Sequence, residues 1–195
     1  MKFSVSELSE LIRHRRTIYP KDYSPREVHR EIIEKVITNA SWAPTHGMTQ
    51  PWRFTVFTGD ARKELSHWLE AEYHRVTPPE KVMPRKLENL TQRPLQSSVV
   101  ISIGMKRDPN GKISELDELC ATASAVQNMW LTCTAYGLGG FWATSAILMG
   151  DRFRDHIGLG EGDRALGLFF MGYPALEWPK GYRKPLDQFV TWKKS

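Results

Sequence analysis

The chain has 195 residues, of which 41% are hydrophobic and 25% charged, and its formal net charge is +5. A length of this order lets roughly 70% of the unfolded surface be buried, so a single domain over 1–195 is expected, and no apolar run approaches the roughly 20 residues a bilayer span needs. Lys and Arg are scattered with no long basic run, which argues against nucleic acid and membrane as partners and directs the positive charge toward small anions.

Met1 to Glu7 lacks the long apolar stretch of a secretory signal, and the only cysteines are Cys120 and Cys133. On one helix these lie roughly 20 Å apart, too far to bridge, so a reducing, cytoplasmic location is expected.

In chain order, Ser6 to Arg16 reads as a short helix with Leu8, Leu11 and Ile12 on one stripe and cations at its C-terminus. Ser24, Pro25 and Glu27 have the spacing of a capping box. They predict a second helix from Ser24 to about Trp42, with Val28, Ile32, Ile33, Val36, Ile37 and Ala40 facing inward. Trp52 to Thr58 is a strand, and Gly59-Asp60 opens a helix over Ala61 to Arg75. The proline-rich, charged 76–96 stretch reads as a lid or as short helices. Val99 to Met105 is a strand, followed by turn chemistry at Asp108-Pro109-Asn110-Gly111.

Glu115 to Tyr136 is a long helix with Leu116, Leu119, Ala123, Val126, Met129, Trp130 and Cys133 on its apolar stripe. Ala121, Ala125 and Leu131 widen that surface enough to suggest burial between subunits. Phe141 to Ala143 and Ala165 to Met171 are strands, and Asp151 to Ile157 is a helix. Helices around a small mixed sheet follow. Gly137-Leu138-Gly139-Gly140 follows a helix and enters a strand, the reverse of a dinucleotide-binding loop, so it reads as a helix-ending turn.

Several polar residues have two readings. Arg15 and Arg16 suit either a solvated helix end or the neutralisation of a phosphate, with Thr17 adding a hydroxyl. His46 suits a structural loop or a ligand contact, and Arg183-Lys184 a charged tail or an anion site. No His-Glu-x-x-His, Cys-x-x-Cys or Gly-x-Ser-x-Gly pattern occurs, and no metal site is expected.

Taken together, Arg15-Arg16-Thr17, Ala43-Pro44-Thr45-His46-Gly47-Met48-Thr49-Gln50-Pro51-Trp52-Arg53-Phe54, Gly137 to Thr144, Leu168 to Pro174 and the Arg183 to Trp192 tail resemble the nitroreductase family of FMN-dependent oxidoreductases. The likeness is strongest to its small, minimal branch. The resemblance implies an α+β fold of helices around a small mixed, mainly antiparallel β-sheet. It also implies a homodimer with FMN at the subunit interface. The FMN contacts it implies are Arg15, Arg16, Thr17, His46, Gln50, Trp142, Ala143, Thr144 and Arg183. Phe189 and Trp192 would anchor the tail on protein. Tyr19 and Ala143 stand where relatives commonly place cations, and Met48 where other branches have Asn.

No side chain is expected to act as the chemical catalyst, because FMN carries the redox step. The implied activity is ping-pong reduction of nitroaromatics, quinones or other electron-poor small-molecule acceptors by NADH or NADPH. Acceptor specificity would lie in 76–96. The alternatives are a flavin-dependent dehydrogenase or dehalogenase of a metabolite, and a non-catalytic flavin-binding protein.

Overall fold

The structure is a computed structural model and describes residues 3–193. Its central scaffold comes from two apolar runs that admit water on neither face. Strands β2 (Val99–Met105) and β4 (Arg164–Gly172) pair antiparallel in the middle of a four-stranded sheet of order β1-β2-β4-β3. Every residue of β2 is buried, and all of β4 except Arg164. A continuous apolar strand of this kind needs cover on both sides.

Strand β1 (Trp52–Phe57) closes one edge and β3 (Gly139–Ala143) the other, both antiparallel to their neighbours. Among the described residues a parallel element occurs only in the isolated bridge between Thr17 and Gly140. It extends the sheet beyond β3 with a strap of extended chain.

One sheet face carries helices α2 (Arg30–Ala40) and α5 (Glu115–Ala135), packed around Val36, Ile101, Ile103, Val126, Met129 and Phe169. The other carries α3 (Ala61–Val76) and the short α6 (Asp151–His156), around Leu65, Leu69, Val100, Phe153, Leu168 and Phe170. Helix α1 (Val5–His14) begins at Ser4, whose hydroxyl accepts from the Glu7 amide, and contributes no buried residue. No described helix is long and apolar enough to cross a membrane.

Helix α5 is about 30 Å long at 1.5 Å per residue, and it begins at Ser114, whose side chain caps the Asp117 amide. Its end confirms the turn read from sequence. Gly137 takes a left-handed φ of 69°, the Leu138 amide donates to the Cys133 carbonyl at 2.8 Å, and the Gly137 amide donates to Thr134 at 3.0 Å. That pair of bonds closes the helix and delivers the chain into β3. The buried stripe, however, is Glu118, Ala121, Thr122, Ala125, Val126, Met129, Thr132 and Cys133. Leu116, expected on the apolar stripe, is 67% exposed, and Leu119 is also open to solvent. The helix is wide in apolar surface, and this chain covers only part of it.

One further expectation is corrected and one open reading is decided. The capping box at Ser24 does not form: α2 begins at Arg30, with no side-chain cap. The Ser24 amide donates instead to the Tyr173 carbonyl at 2.7 Å and the Val28 amide to the Ser98 hydroxyl at 2.7 Å. These tertiary bonds hold 24–28 extended. Of the two readings of segment 76–96, a lid or short helices, the structure bears out the helices. The segment contains helix α4 (Pro84–Gln96), fixed on α3 by a Ser66 hydroxyl bond to the Thr91 carbonyl at 2.8 Å and a Met83 amide bond to the Tyr73 hydroxyl at 3.0 Å.

Candidate functional site

Beyond His14 the chain leaves the helix and runs as the strap beside β3. The Ile18 amide donates to Gly140 at 3.1 Å, and the Tyr23 hydroxyl donates to the carbonyls of Ile18 and Phe170. The approach is close: a Cβ on Gly140 would lie 2.6 Å from the Phe169 ring and 2.8 Å from the Trp130 indole nitrogen. That nitrogen donates to the Arg16 carbonyl at 3.1 Å, and the Arg15 guanidinium lies 4.6 Å above the Trp130 ring. The absent side chain at position 140 thus lets α5 position both arginines.

The C-terminal segment is brought to the same place by backbone acceptors. Arg16 Nε donates to the Pro179 carbonyl at 2.9 Å, and the Trp178 indole donates to the His14 carbonyl at 2.6 Å. Arg16 also donates to the Arg13 and Arg15 carbonyls, which makes it as much a clamp on the tail as a free cation. The result is a cleft of about 690 Å³ lined by Arg13, Arg15, Arg16, Thr17, Gln127, Trp130 and Arg183, with Ile12 and Gly181-Tyr182 completing it.

Among the described residues no acid lines this cleft. Burial lowers the pKa of Arg15 from its ordinary value, and repulsion from Arg183 and then Arg16 lowers it further. A cluster of guanidiniums with unused donors is relieved by an anion, and the planar fork suits phosphate oxygens.

A second polar group lies elsewhere. After α2 the chain passes through a tight turn in which Gly47, Met48 and Gln50 all have positive φ, 58°, 53° and 45°. For Met48 and Gln50 this conformation costs of order 1–2 kcal/mol each, the sort of strain that marks functional loops. The Thr45 hydroxyl accepts from the Gln50 amide at 3.1 Å, and His46 Nδ1 lies 3.1 Å from an Asp117 carboxylate oxygen. The hydrogen bond from His46, and next that from Ser114, holds the Asp117 carboxyl below the usual carboxylate range. With the His46 proton on Nδ1, Nε2 is left as an acceptor.

Trp142, Ala143 and Thr144 form a third group at the end of β3. The Trp142 indole donates to the Leu166 carbonyl at 2.8 Å and packs on the core, and Ala143 is buried. Only main-chain groups and the exposed Thr144 side chain remain free to meet a ligand there.

The predicted residues therefore divide. Arg15, Arg16, Thr17 and Arg183 meet in one cleft, while His46 and Gln50 do not join them. Helix α5 is the ruler: its residue Asp117 holds His46 and its residue Trp130 holds Arg15, a separation of roughly 20 Å along the axis. Sequence reasoning missed Gln127 and Asp117 altogether and placed Trp130 only in the core. The i,i+3 spacing of Gln127 and Trp130 on α5 was the available signal.

A model of the Nitroreductase family matches residues 12–173. The chain is 25% identical over 163 residues to "Putative NAD(P)H nitroreductase YdjA" of Escherichia coli K12, covering 83% of this chain and 87% of that one. Among solved structures it is similar to a nitroreductase-like family protein from Bacillus cereus, with a TM-score of 0.84, 25% identity and full coverage of both chains. It also shares its fold with the FMN and NADPH-dependent nitroreductase NfnB from Sphigopyxis sp. strain HMH, at a TM-score of 0.71 and 19% identity over 96% of this chain and 99% of that one.

Proposed function

The chain belongs to the Nitroreductase family, and from that premise we propose that it is a single-domain, cytoplasmic, FMN-dependent oxidoreductase that uses NADH or NADPH to reduce nitroaromatic, quinone or related electron-poor acceptors. The observation that carries the reading is the acid-free cleft in which Arg15, Arg16 and Arg183 converge. These residues fit the phosphate of FMN: they line one cleft with no acid among them, and burial and repulsion from Arg183 and Arg16 lower the Arg15 pKa, which an anion would relieve. FMN held by Arg15, Thr17 and Arg183 would supply the redox chemistry, hydride and electron transfer between NAD(P)H and a second substrate.

The protein's part is binding and electrostatics. Arg15 and Arg183 neutralise the phosphate, Thr17 donates its hydroxyl beside it, and Arg16 holds the 178–183 segment in place. Main-chain groups at 142–144, with the Thr144 hydroxyl, offer polar contacts to the ring system. Fixed donors of this kind stabilise negative charge where it develops without reorganising.

His46 and Gln50 complete the site from a second copy. The roughly 20 Å between the two groups forbids their meeting on one phosphate within a chain. An antiparallel pairing of α5 helices would bring His46 of one chain toward Arg15 of the other. Exposed apolar side chains support such a homodimer: Leu8, Trp42, Leu116, Leu119, Phe189 and Trp192, the last 77% exposed, are left open to solvent by this chain. The tail's aromatic anchors are mostly exposed on their own protomer.

The test is an anaerobic visible spectrum of FMN-supplemented, desalted protein before and after addition of NADH or NADPH. Retained flavin that bleaches with either donor is the expected result. Retained flavin that neither donor reduces would replace the reductase reading with a binding role.

A further inference from the structure

The loop that carries His46 is held harder than its exposure explains. Gly47, Met48 and Gln50 are all at positive φ, and a Cβ on Gly47 would lie 3.0 Å from the end of the Ile113 side chain, so the turn is pressed against the 106–113 loop. Strain of this kind persists only where the surroundings over-determine it. Yet His46, Gly47 and Met48 are all exposed, so burial is not what holds the turn.

Among the described residues the His46 imidazole has one hydrogen-bond partner, the Asp117 carboxylate, 3.1 Å from Nδ1. Asp117 stands on fixed backbone: its amide donates to the Ser114 hydroxyl at 3.1 Å, and the next residue, Glu118, is buried and paired with Arg107. The His46 and Asp117 side chains are 66% and 47% exposed, and an exposed pair of this kind adds little to stability. Its consequence is for the ring. An ionised carboxylate can only accept, and Asp117 stays ionised at neutral pH because the hydrogen bond from His46, and next that from Ser114, lowers its pKa. Nδ1 therefore carries the proton, and the neutral ring presents Nε2 as a bare acceptor. Without the carboxylate either tautomer is open to the ring.

We propose that Asp117 is a positioning residue that fixes His46 in the Nδ1–H tautomer, so that Nε2 accepts a hydrogen bond from a hydroxyl or N–H of the flavin and makes no bond to its phosphate. The ligand half of this assignment rests on the FMN reading and on the shared site; the tautomer half does not. The two groups of site residues then divide the ligand by polarity. Phosphate oxygens, which only accept, belong to the arginine cleft, and the donors of the flavin, its ribityl hydroxyls and its ring N3–H, belong to His46. A carboxylate behind an imidazole sets tautomer and ring orientation in the same way where histidines bind metals.

The test is nitrogen NMR of the imidazole rings in isotopically labelled protein at about pH 8, where an ordinary histidine is neutral, without and with saturating FMN. His46 is assigned by the resonances missing from His46→Gln. The wild type should show a proton-bearing Nδ1 and a bare Nε2 in the apoprotein, and Nε2 should move part of the way toward the proton-bearing position when FMN is added. Asp117→Ala should give the average of the two tautomers and bind FMN about fivefold more weakly, the effect of losing one neutral hydrogen bond. Asp117→Asn, whose side-chain oxygen still accepts from Nδ1, should restore most of both. Melting temperatures serve as folding controls. A proton on Nε2 of the wild type in either state overturns the assignment, as does a His46 spectrum that Asp117→Ala leaves unchanged. If the protein retains no FMN, the flavin reading fails while the apoprotein spectrum still decides whether Asp117 holds the tautomer.

Discussion

Replacing Arg15 and Arg183 together by alanine lowers the affinity for FMN about a hundredfold or more. Each guanidinium is assigned a charge-assisted bond to the phosphate, worth about 1.5–3 kcal/mol, and the lower end applies because the cleft is open to solvent. Two such losses give about 3 kcal/mol, or roughly two decades in dissociation constant. The effect should shrink as salt rises, because the wild-type contacts are screened and the alanine variant has none to lose. Fluorescence titration of the apoprotein with FMN at low and high salt measures both. Affinity unchanged by the double substitution at either salt concentration removes this cleft as the phosphate site.

The second large effect lies at the other group of site residues. Glu118 is fully buried on α5, paired with Arg107, and its second oxygen accepts from the Asp108 amide at 2.7 Å. Arg107 also donates through its amide to Asp163 at 2.8 Å, and through its guanidinium to the Ile113 carbonyl at 3.3 Å. One carboxylate thus ties the 106–113 loop to α5, and Ile113 of that loop packs beside Gly47. Glu118→Ala leaves a mostly covered guanidinium and a part-buried amide without their acceptor, and should cost about 3 kcal/mol of folding stability. Glu118→Gln keeps an acceptor for Asp108 and should cost less. Urea unfolding monitored by circular dichroism gives the ranking; alanine and glutamine variants as stable as wild type would show that the pair contributes nothing.

Much of the fold was legible wherever pattern and tertiary demand agree. Val99–Met105 reads as a buried strand because it is one, and Gly137 reads as a helix terminator because its positive φ is used for that purpose. The capping box at Ser24 was misleading because its backbone is claimed by Tyr173 and Ser98, partners 149 and 70 residues away that no local rule sees. Helix α4 was obscured by Pro84, which starts it, and by Pro94, which the last turn tolerates.

The candidate site was legible as pieces. Arg15, Arg16, Thr17 and Arg183 stood out by type and spacing, but their convergence depends on Trp130 and on the Arg16 bond to Pro179. Trp142 was read as a flavin contact; its indole is committed to Leu166, which leaves its main chain for that role. The separation of His46 from Arg15 could not be read at all, since it depends on which end of α5 each residue meets.

That separation leads to the central claim, that one chain carries only half of each flavin site. The most direct measurement is light scattering coupled to size exclusion on FMN-saturated protein, with flavin absorbance recorded across the peak. A species of twice the 22.4 kDa chain mass that carries one FMN per chain, and loses it on dilution to monomer, is the predicted result. A stable monomer retaining one FMN would contradict the shared site.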